Sequence, residues 1–405
     1  MPHSIVLRQK FVYLAELLYL CGKLASMTPE SDIEQKPAFG SPSEPKRRKP
    51  LIGMTETELR EAAKALGMPA FTGSQIAKWL YSPTPSLHKG EGDRRCITGI
   101  DEMTNISKKN REVLAEHYCV GGMAPIGSQR SKDGTVKYLF PVSSGKCVET
   151  VYIPDHERAT LCVSCQVGCK MNCLFCQTGK QGFEGHLTAG DIINQILSLP
   201  ERETLTNIVF MGQGEPMDNM EAVIRAIEIL TAKWGLAWSP RRITVSSVGI
   251  KGKLQEFIER TTCHIAISMH SPIHEQRIEL MPAEKSMPIA DVVEMLRAYG
   301  FSHYGRRVSF EYIVFDGLND SKTHAKEIAR LLKGLDCRVN LIRYHKVPGV
   351  PLMTSNEAKM QAMCDYLNAH GITTTIRTSR GEDILAACGL LSTAQSVEEE
   401  TNSKQ

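Results

Sequence analysis

Apolar and polar positions fall into regular patterns from about Leu51 onward. Thr55-Glu56-Thr57-Glu58 has the form of a capping box, in which a hydroxyl and a carboxylate satisfy the free amides at a helix start, and it predicts a helix closing at Gly67. Ile76, Trp79 and Leu80 recur at helical spacing and predict a second helix from Ser74 to Tyr81; a third is expected from Ser107 to His117. Two alternating runs, Val136 to Pro141 and Val148 to Ile153, flank Ser143-Ser144-Gly145 and read as a hairpin. Short apolar strands then follow at Thr160–Ser164, Asn207–Met211, Ile243–Ser247, His264–His270, Val308–Phe315 and Val339–Tyr344. They alternate with helices near Ala189–Ser198, Met220–Trp234, Lys251–Glu259, Ile289–Tyr299 and Ser321–Leu332. Such alternation predicts a parallel sheet, because a parallel connection must cross over and the crossing segment is usually a helix. Six units fall short of a closed barrel, so the expected fold is α/β, a partial, open (β/α)6 TIM-like barrel with its site at the C-terminal strand ends. The tail adds a helix near Glu357–His370, a strand at Thr373–Thr378 and the segment Gly381 to Gly389.

These patterns divide the chain. Residues 1–50 are expected to be a disordered or dispensable extension, 51–118 a helical accessory domain, 119–157 a hairpin and linker, 158–391 the core, and 392–405 a disordered tail. Residues 10–26 resemble a signal peptide, but Glu16 interrupts the apolar run, which is also too short to span a bilayer. With 42% hydrophobic and 23% charged residues over 405 positions, the composition is that of a soluble globular chain. A net charge of only +3 means that any nucleic-acid surface must be a local patch. Candidate contacts flank the helical module and the hairpin: Arg94, Arg95, Lys108, Lys109, Arg111, Arg130 and Lys132. The 13 cysteines, an odd number scattered along the chain, argue against a secreted disulfide framework. A reducing cytoplasm and no membrane association are expected.

The densest chemistry lies at Cys169, Cys173 and Cys176, a CxxxCxxC triplet on one short loop. A structural zinc site takes four ligands, usually from paired CxxC elements, and no second pair follows here. Three thiolates would leave one iron of a [4Fe–4S] cluster open to a ligand. The competing reading is a zinc knuckle with Cys162 or Cys165 as fourth ligand. One unit further on, Gly212-Gln213-Gly214-Glu215-Pro216 follows a strand, where glycines allow close backbone approach and Glu215 can accept from an amino group.

The triplet, with Phe175 before its last cysteine, resembles the radical S-adenosylmethionine (SAM) enzymes, which implies the radical-SAM type of barrel, a [4Fe–4S] cluster on Cys169, Cys173 and Cys176, and SAM held at Gly214-Glu215. Further segments narrow the resemblance to the RlmN-type 23S rRNA and tRNA adenine-C2 methyltransferases: Val148 to Pro154, Arg158 to Ser164, Arg242 to Ser246, Ile267 to Pro272, Val339 to Ile342 and Asp383 to Gly389. That resemblance implies further SAM contacts from Ser246, Ser268, Met269, His270 and His345. It also implies that Cys388 is methylated by one SAM and carries the carbon to adenine C2 after a second SAM yields a radical. Cys162 would then release the product through a transient disulfide with Cys388, and Glu149 would accept the proton. The partners implied are 23S rRNA, tRNA and a flavodoxin- or ferredoxin-type reductant. Two residues depart from the family pattern: Cys165 stands where serine is usual, and His345 where asparagine is. The sister adenine-C8 methyltransferases share the machinery, and a zinc-stapled RNA-binding module is the non-enzyme alternative. Each residue also has a plain structural reading, Cys388 and Cys162 as small core residues and Glu149 as a solvated strand position.

Overall fold

The computed structural model describes residues 48–82, 97–301 and 305–393. The expected N-terminal extension, the basic insertion with Arg94 and Arg95, and the acidic tail from residue 394 lie outside the described residues. In chain order the strands are β1 (Lys49–Pro50), β2 (Tyr118–Cys119), β3 (Gly127–Arg130), β4 (Val136–Pro141), β5 (Cys147–Asp155), β6 (Arg158–Cys162), β7 (Gln166–Gly168), β8 (Phe183–His186), β9 (Asn207–Phe210), β10 (Ile243–Ser247), β11 (His264–Ser268), β12 (Val308–Val314), β13 (Arg338–Arg343) and β14 (Thr373–Ile376). The helices are α1 (Glu56–Ala65), α2 (Phe71–Tyr81), α3 (Lys108–His117), α4 (Gln177–Gln181), α5 (Ala189–Leu197), α6 (Met220–Thr231), α7 (Lys253–Arg260), α8 (His274–Leu280), α9 (Ile289–Tyr299), α10 (Lys322–Leu332) and α11 (Glu357–Ala369).

The capping box at Thr55 and Glu58 is formed, with both reciprocal hydrogen bonds present. Helix α2 starts three residues earlier than its apolar spacing suggests. Gly73 explains the shift: it packs so tightly on α1 that a Cβ there would sit 2.3 Å from the Arg60 amide nitrogen. The first turn of α2 is thus held by contact with α1, not by its own apolar residues.

One ten-stranded sheet organises the rest, in the order β14-β13-β12-β11-β10-β9-β6-β5-β4-β3. From β6 to β14 neighbouring strands run parallel, and from β6 back to β3 they run antiparallel. The parallel run therefore has seven strands, one more than the six units counted from the sequence, because β14 joins through α11. The hairpin is an extension of the same sheet, which is mixed. No pairing joins β14 to β3, so the barrel is open.

The two faces of the sheet differ in chemistry. The helix-covered face carries Ile208, Phe210, Ile243, Val245, Ile265, Ile267, Val308, Phe310, Val339 and Leu341, all fully buried. The alternate residues, on the inner face, include Thr244, Ser246, Ser268, Ser309, Glu311, Asn340 and Thr375. Parallel strands normally bury both faces and read as continuous apolar runs; here the inner face is polar and partly open. Among the described residues no helix is long and apolar enough to cross a membrane.

Candidate active site

The cysteine loop is pinched at its base by the β7–β8 pair. Gly168 at that base has a positive φ of 72°, and a Cβ there would fall 1.7 Å from the Gly182 carbonyl, so glycine is required. The Cys169 amide donates to that same carbonyl at 2.9 Å, and the Leu174 amide to the Leu280 carbonyl at 2.9 Å. Cys173 is buried, while Cys169 and Cys176 are half-buried. Burial pushes the Cys169 thiol up to about 12 and Cys173 well above the usual thiol range, and neighbouring thiols and Glu215 add to both shifts. Two such thiols ionise side by side only if a cationic group sits between them. Among the described residues no three His, Cys, Asp or Glu side chains are grouped to hold one mononuclear ion. An iron–sulfur cube, which spreads its thiolates around a larger body, fits this donor set better than a single zinc ion.

Glu215 faces the loop. Gly214, at φ 102°, leaves no room for a Cβ beside Gln166, whose Oε1 accepts from the Glu215 amide at 2.9 Å. The buried Glu215 carboxylate accepts from the amides of Met217 and Val248, each at 3.0 Å. Burial nevertheless raises it to about 7. A carboxylate held this way is ready to accept from an incoming amino group. Ser246 and Ser268, half-buried on the inner face, lie at the ends of the next two strands. Met269 is fully buried in the helix-side core, with its amide and carbonyl engaged by Glu311 and Arg277. His270 has φ 54°, its Nδ1 accepts from the Ile313 amide at 3.0 Å, and its ring sits edge-on to Phe175 at 4.6 Å. Burial, then the Arg277 charge, lowers its pKa to about 3, so the ring is neutral. His345 is buried: Nε2 lies 3.3 Å from Ser379 Oγ, and Nδ1 is 3.3 Å from the Glu382 carboxylate without hydrogen-bond alignment. It therefore faces the segment that leads to Cys388.

Cys162 ends β6 on the inner face and packs with Ala386 and Leu391, so the C-terminal segment lies directly over it. Its thiol is raised far above the usual range by burial and then by Cys388. Cys388 is exposed to solvent although protein encloses it on most sides; that enclosure raises its thiol, with Glu311, Arg377 and Cys176 also acting on it. Glu149 is not a solvated strand position. It is buried, paired with Lys137 at 3.0 Å, and accepts from the Ser392 amide at 2.8 Å. Ser392 and Thr393, expected to begin a disordered tail, are buried and hydrogen-bonded to Gln181. A third tie holds this segment: Asp133 accepts from the Gly381 amide at 2.9 Å, and Asp383 from Ser131 Oγ at 2.5 Å.

A model of the ribosomal RNA large subunit methyltransferase N-terminal domain matches residues 49–120, and one of the radical SAM superfamily matches residues 163–332. A probable dual-specificity RNA methyltransferase RlmN of Bacteroides thetaiotaomicron is 59% identical over 353 residues, covering 87% of this chain and 98% of that one. The Porphyromonas gingivalis protein of the same description is 53% identical over 353 residues, covering 87% and 99%. The chain belongs to the RlmN family of radical-SAM RNA methyltransferases. A crystal structure of a radical SAM methyltransferase from Sphaerobacter thermophilus superposes with a TM-score of 0.75 at 38% identity, covering 85% of this chain and 99% of that one. Radical-SAM enzymes use a [4Fe–4S] cluster and SAM.

Sequence reasoning missed several residues that build this site. Gln213 is fully buried and accepts from the Glu149 amide at 3.0 Å, joining the Glu215 turn to β5. Glu311, a buried carboxyl accepting from Ser309 at 2.9 Å and Asn340 at 2.7 Å, was detectable as a lone charge in the apolar run Val308–Val314. Arg277, fully buried beneath the strand ends, gave no such signal. Of the expected RNA contacts, Arg130 is paired with Glu201 at 3.3 Å and Arg111 donates to the Asp101 carbonyl, while Lys109 and Lys132 are exposed.

Proposed function

We propose that this RNA methyltransferase methylates C2 of adenosine in 23S rRNA and tRNA through a methylated Cys388. Support comes chiefly from the Cys162 thiol, which packs with Ala386 and Leu391 on either side of Cys388 and feels the Cys388 thiol, while Cys176 of the cysteine loop acts on Cys388 in turn. Cys169, Cys173 and Cys176 hold the cluster, and Gly214-Glu215, with Ser246 and Ser268, binds SAM; Met269 and His270 support these groups from behind. When bound, the cluster and SAM supply a transferable methyl group and, on reduction, a carbon radical. Cys388 takes the methyl as a thiolate nucleophile and presents the carbon to the base. Glu149 accepts the proton lost from C2, and the odd electron of the adduct would pass to the iron–sulfur cluster that Cys169, Cys173 and Cys176 would hold. Cys162 then attacks the Cys388 sulfur, breaking the sulfur–carbon bond, and the electron pair left on carbon is protonated to the methyl. His345 positions the segment bearing Cys388. The module at residues 51–118 docks RNA, a flavodoxin- or ferredoxin-type protein supplies electrons, and the protein works in the cytoplasm.

Anaerobic reconstitution, reaction with RNA and SAM, and mass spectrometry of the digested nucleosides test this reading. 2-Methyladenosine is expected. 8-Methyladenosine would assign the sister activity, and bound zinc without SAM cleavage would leave only an RNA-binding module.

A further inference from the structure

The inner face carries a second, unassigned feature on its exposed rim. Arg158 opens β6 on the side of Thr160 and Cys162. Arg307 precedes β12 on the side of Ser309 and Glu311, its amide donating to His264 Nδ1 at 3.0 Å. Arg338 opens β13 in register with Ser309 and Thr373. Arg377 follows β14, its amide donating to the Leu341 carbonyl at 2.8 Å. All four are exposed. Among the described residues none forms an ion pair, and the nearest side-chain partner of Arg158 is the neutral Asn207, at 3.5 Å. Instead they press on one another: the Arg307 guanidinium is lowered by burial and then by Arg338, Arg158 and Arg377. His264, on the same face, is lowered to about 4 by burial and then by Arg307, Arg306, Arg241 and Arg338.

Among the described residues the buried Glu311 carboxyl is the one acidic group acting on Arg307, and it also acts on Arg377; four gathered guanidinium groups outnumber it, which is costly unless an anion joins them. The anion must be extended: Arg307, Arg338 and Arg377 stand on three successive strands about 4.8 Å apart, and Arg377 lies four residues beyond Thr373, the register partner of Arg338, so the span is well over about 10 Å. Guanidinium groups match phosphate oxygens in a bidentate way. We propose that Arg158, Arg307, Arg338 and Arg377 form a phosphate track that carries the RNA backbone across the inner face to Cys388. This rests on the reading of the chain as an RNA methyltransferase, and it adds a backbone contact on the barrel itself to the docking by the helical module.

The test uses the full, cluster-loaded chain under anaerobic conditions and a fluorescent stem-loop RNA with adenine in the loop. Anisotropy titrations between low and moderate salt are run on wild type, Arg307→Ala, Arg338→Ala, the double variant and Arg338→Lys, beside calorimetry of SAM binding without RNA. Each alanine should lower the slope of log K against log salt by about 0.7 to 0.9 and weaken RNA binding several-fold, roughly uniformly across sequences. Arg338→Lys should restore the slope, and SAM affinity should stay unchanged. A double variant with wild-type affinity and slope overturns the track while leaving the methyltransferase reading intact. Loss of SAM binding in parallel, or loss only of reduction by an acidic electron carrier, overturns it as well. A wild-type chain that binds this RNA with the expected slopes yet never methylates RNA leaves the track standing and removes the assigned activity.

Discussion

Arg277 offers a sharp test of how the site is held. Its guanidinium donates to the Met269 carbonyl at 3.0 Å, the Val248 carbonyl at 2.9 Å and the Ser268 carbonyl at 2.7 Å, and pairs with buried Glu284. Glu284 also accepts from the Ile289 amide at 2.9 Å. One side chain thus ties the ends of β10 and β11, the strands that present Ser246 and Ser268. Arg277→Met breaks a buried ion pair, which typically costs about 3 to 5 kcal/mol because a charge is left uncompensated. Three charged hydrogen bonds at about 1.5 to 3 kcal/mol each would sum to more, but the orphaned carbonyls retain their backbone surroundings and such terms do not add. The lower figure is therefore expected. Urea unfolding of the cluster-free, reduced chain measures it, with Glu284→Gln and the double variant completing a cycle. The two singles should couple by about 1 to 3 kcal/mol, since removing both charges avoids the unpaired one. A loss below about 1 kcal/mol for Arg277→Met, or strict additivity, would refute the reasoning.

Cys169→Ala, Cys173→Ala and Cys176→Ala should each abolish cluster binding, read as iron and sulfide content; full iron in Cys169→Ala sinks the ligand assignment, unless Cys165→Ala then removes it. Cys388→Ala should keep its cluster and SAM but form no adduct, whereas Cys162→Ala should stall as a protein–RNA adduct at the Cys388 peptide, visible by mass spectrometry. Glu215 is a carboxyl whose folded pKa is raised, to about 7, so it ionises only above that pH. Because SAM's amino group needs the ionised acceptor, SAM affinity should be high above about pH 7 and fall by up to about tenfold per unit below it; a pH-independent wild-type titration contradicts this, and Glu215→Gln should be weak and flat. Gly214→Ala adds a Cβ 2.6 Å from the Gln166 side chain at a φ of 102° and should weaken SAM binding more than it lowers the urea midpoint.

Much of this was legible because strands and chemistry follow short-range rules. The β/α alternation and the capping box depend on neighbours three or four residues away, and strand β10 and helix α9 lie where their periodicity put them. Strands β3, β7 and β8 were not legible, since Gly127–Arg130, Gln166–Gly168 and Phe183–His186 carry almost no apolar alternation and exist through pairing with distant partners. The triplet and Gly214-Glu215 announced themselves by spacing. Glu149 and Ser392 did not, because a hydrogen bond joining residues so far apart in sequence leaves no local trace. The rim arginines escaped notice for a related reason: each is an ordinary strand-end cation until the sheet curls them toward one another.

The division of one sheet into an apolar face and a polar face has a consequence for how such a chain diverges. Folding is written in one set of alternate residues and chemistry in the other, so half of each strand can change its substrate preference while the core beneath keeps its packing. Ser309, Glu311 and Asn340 are open to such drift, whereas Val308, Phe310 and Val339 are not. Insertions follow the same logic: one residue added inside β12 or β13 would exchange the two scripts and ruin both, while additions in the loops beyond the strand ends would reshape the pocket and leave the fold untouched.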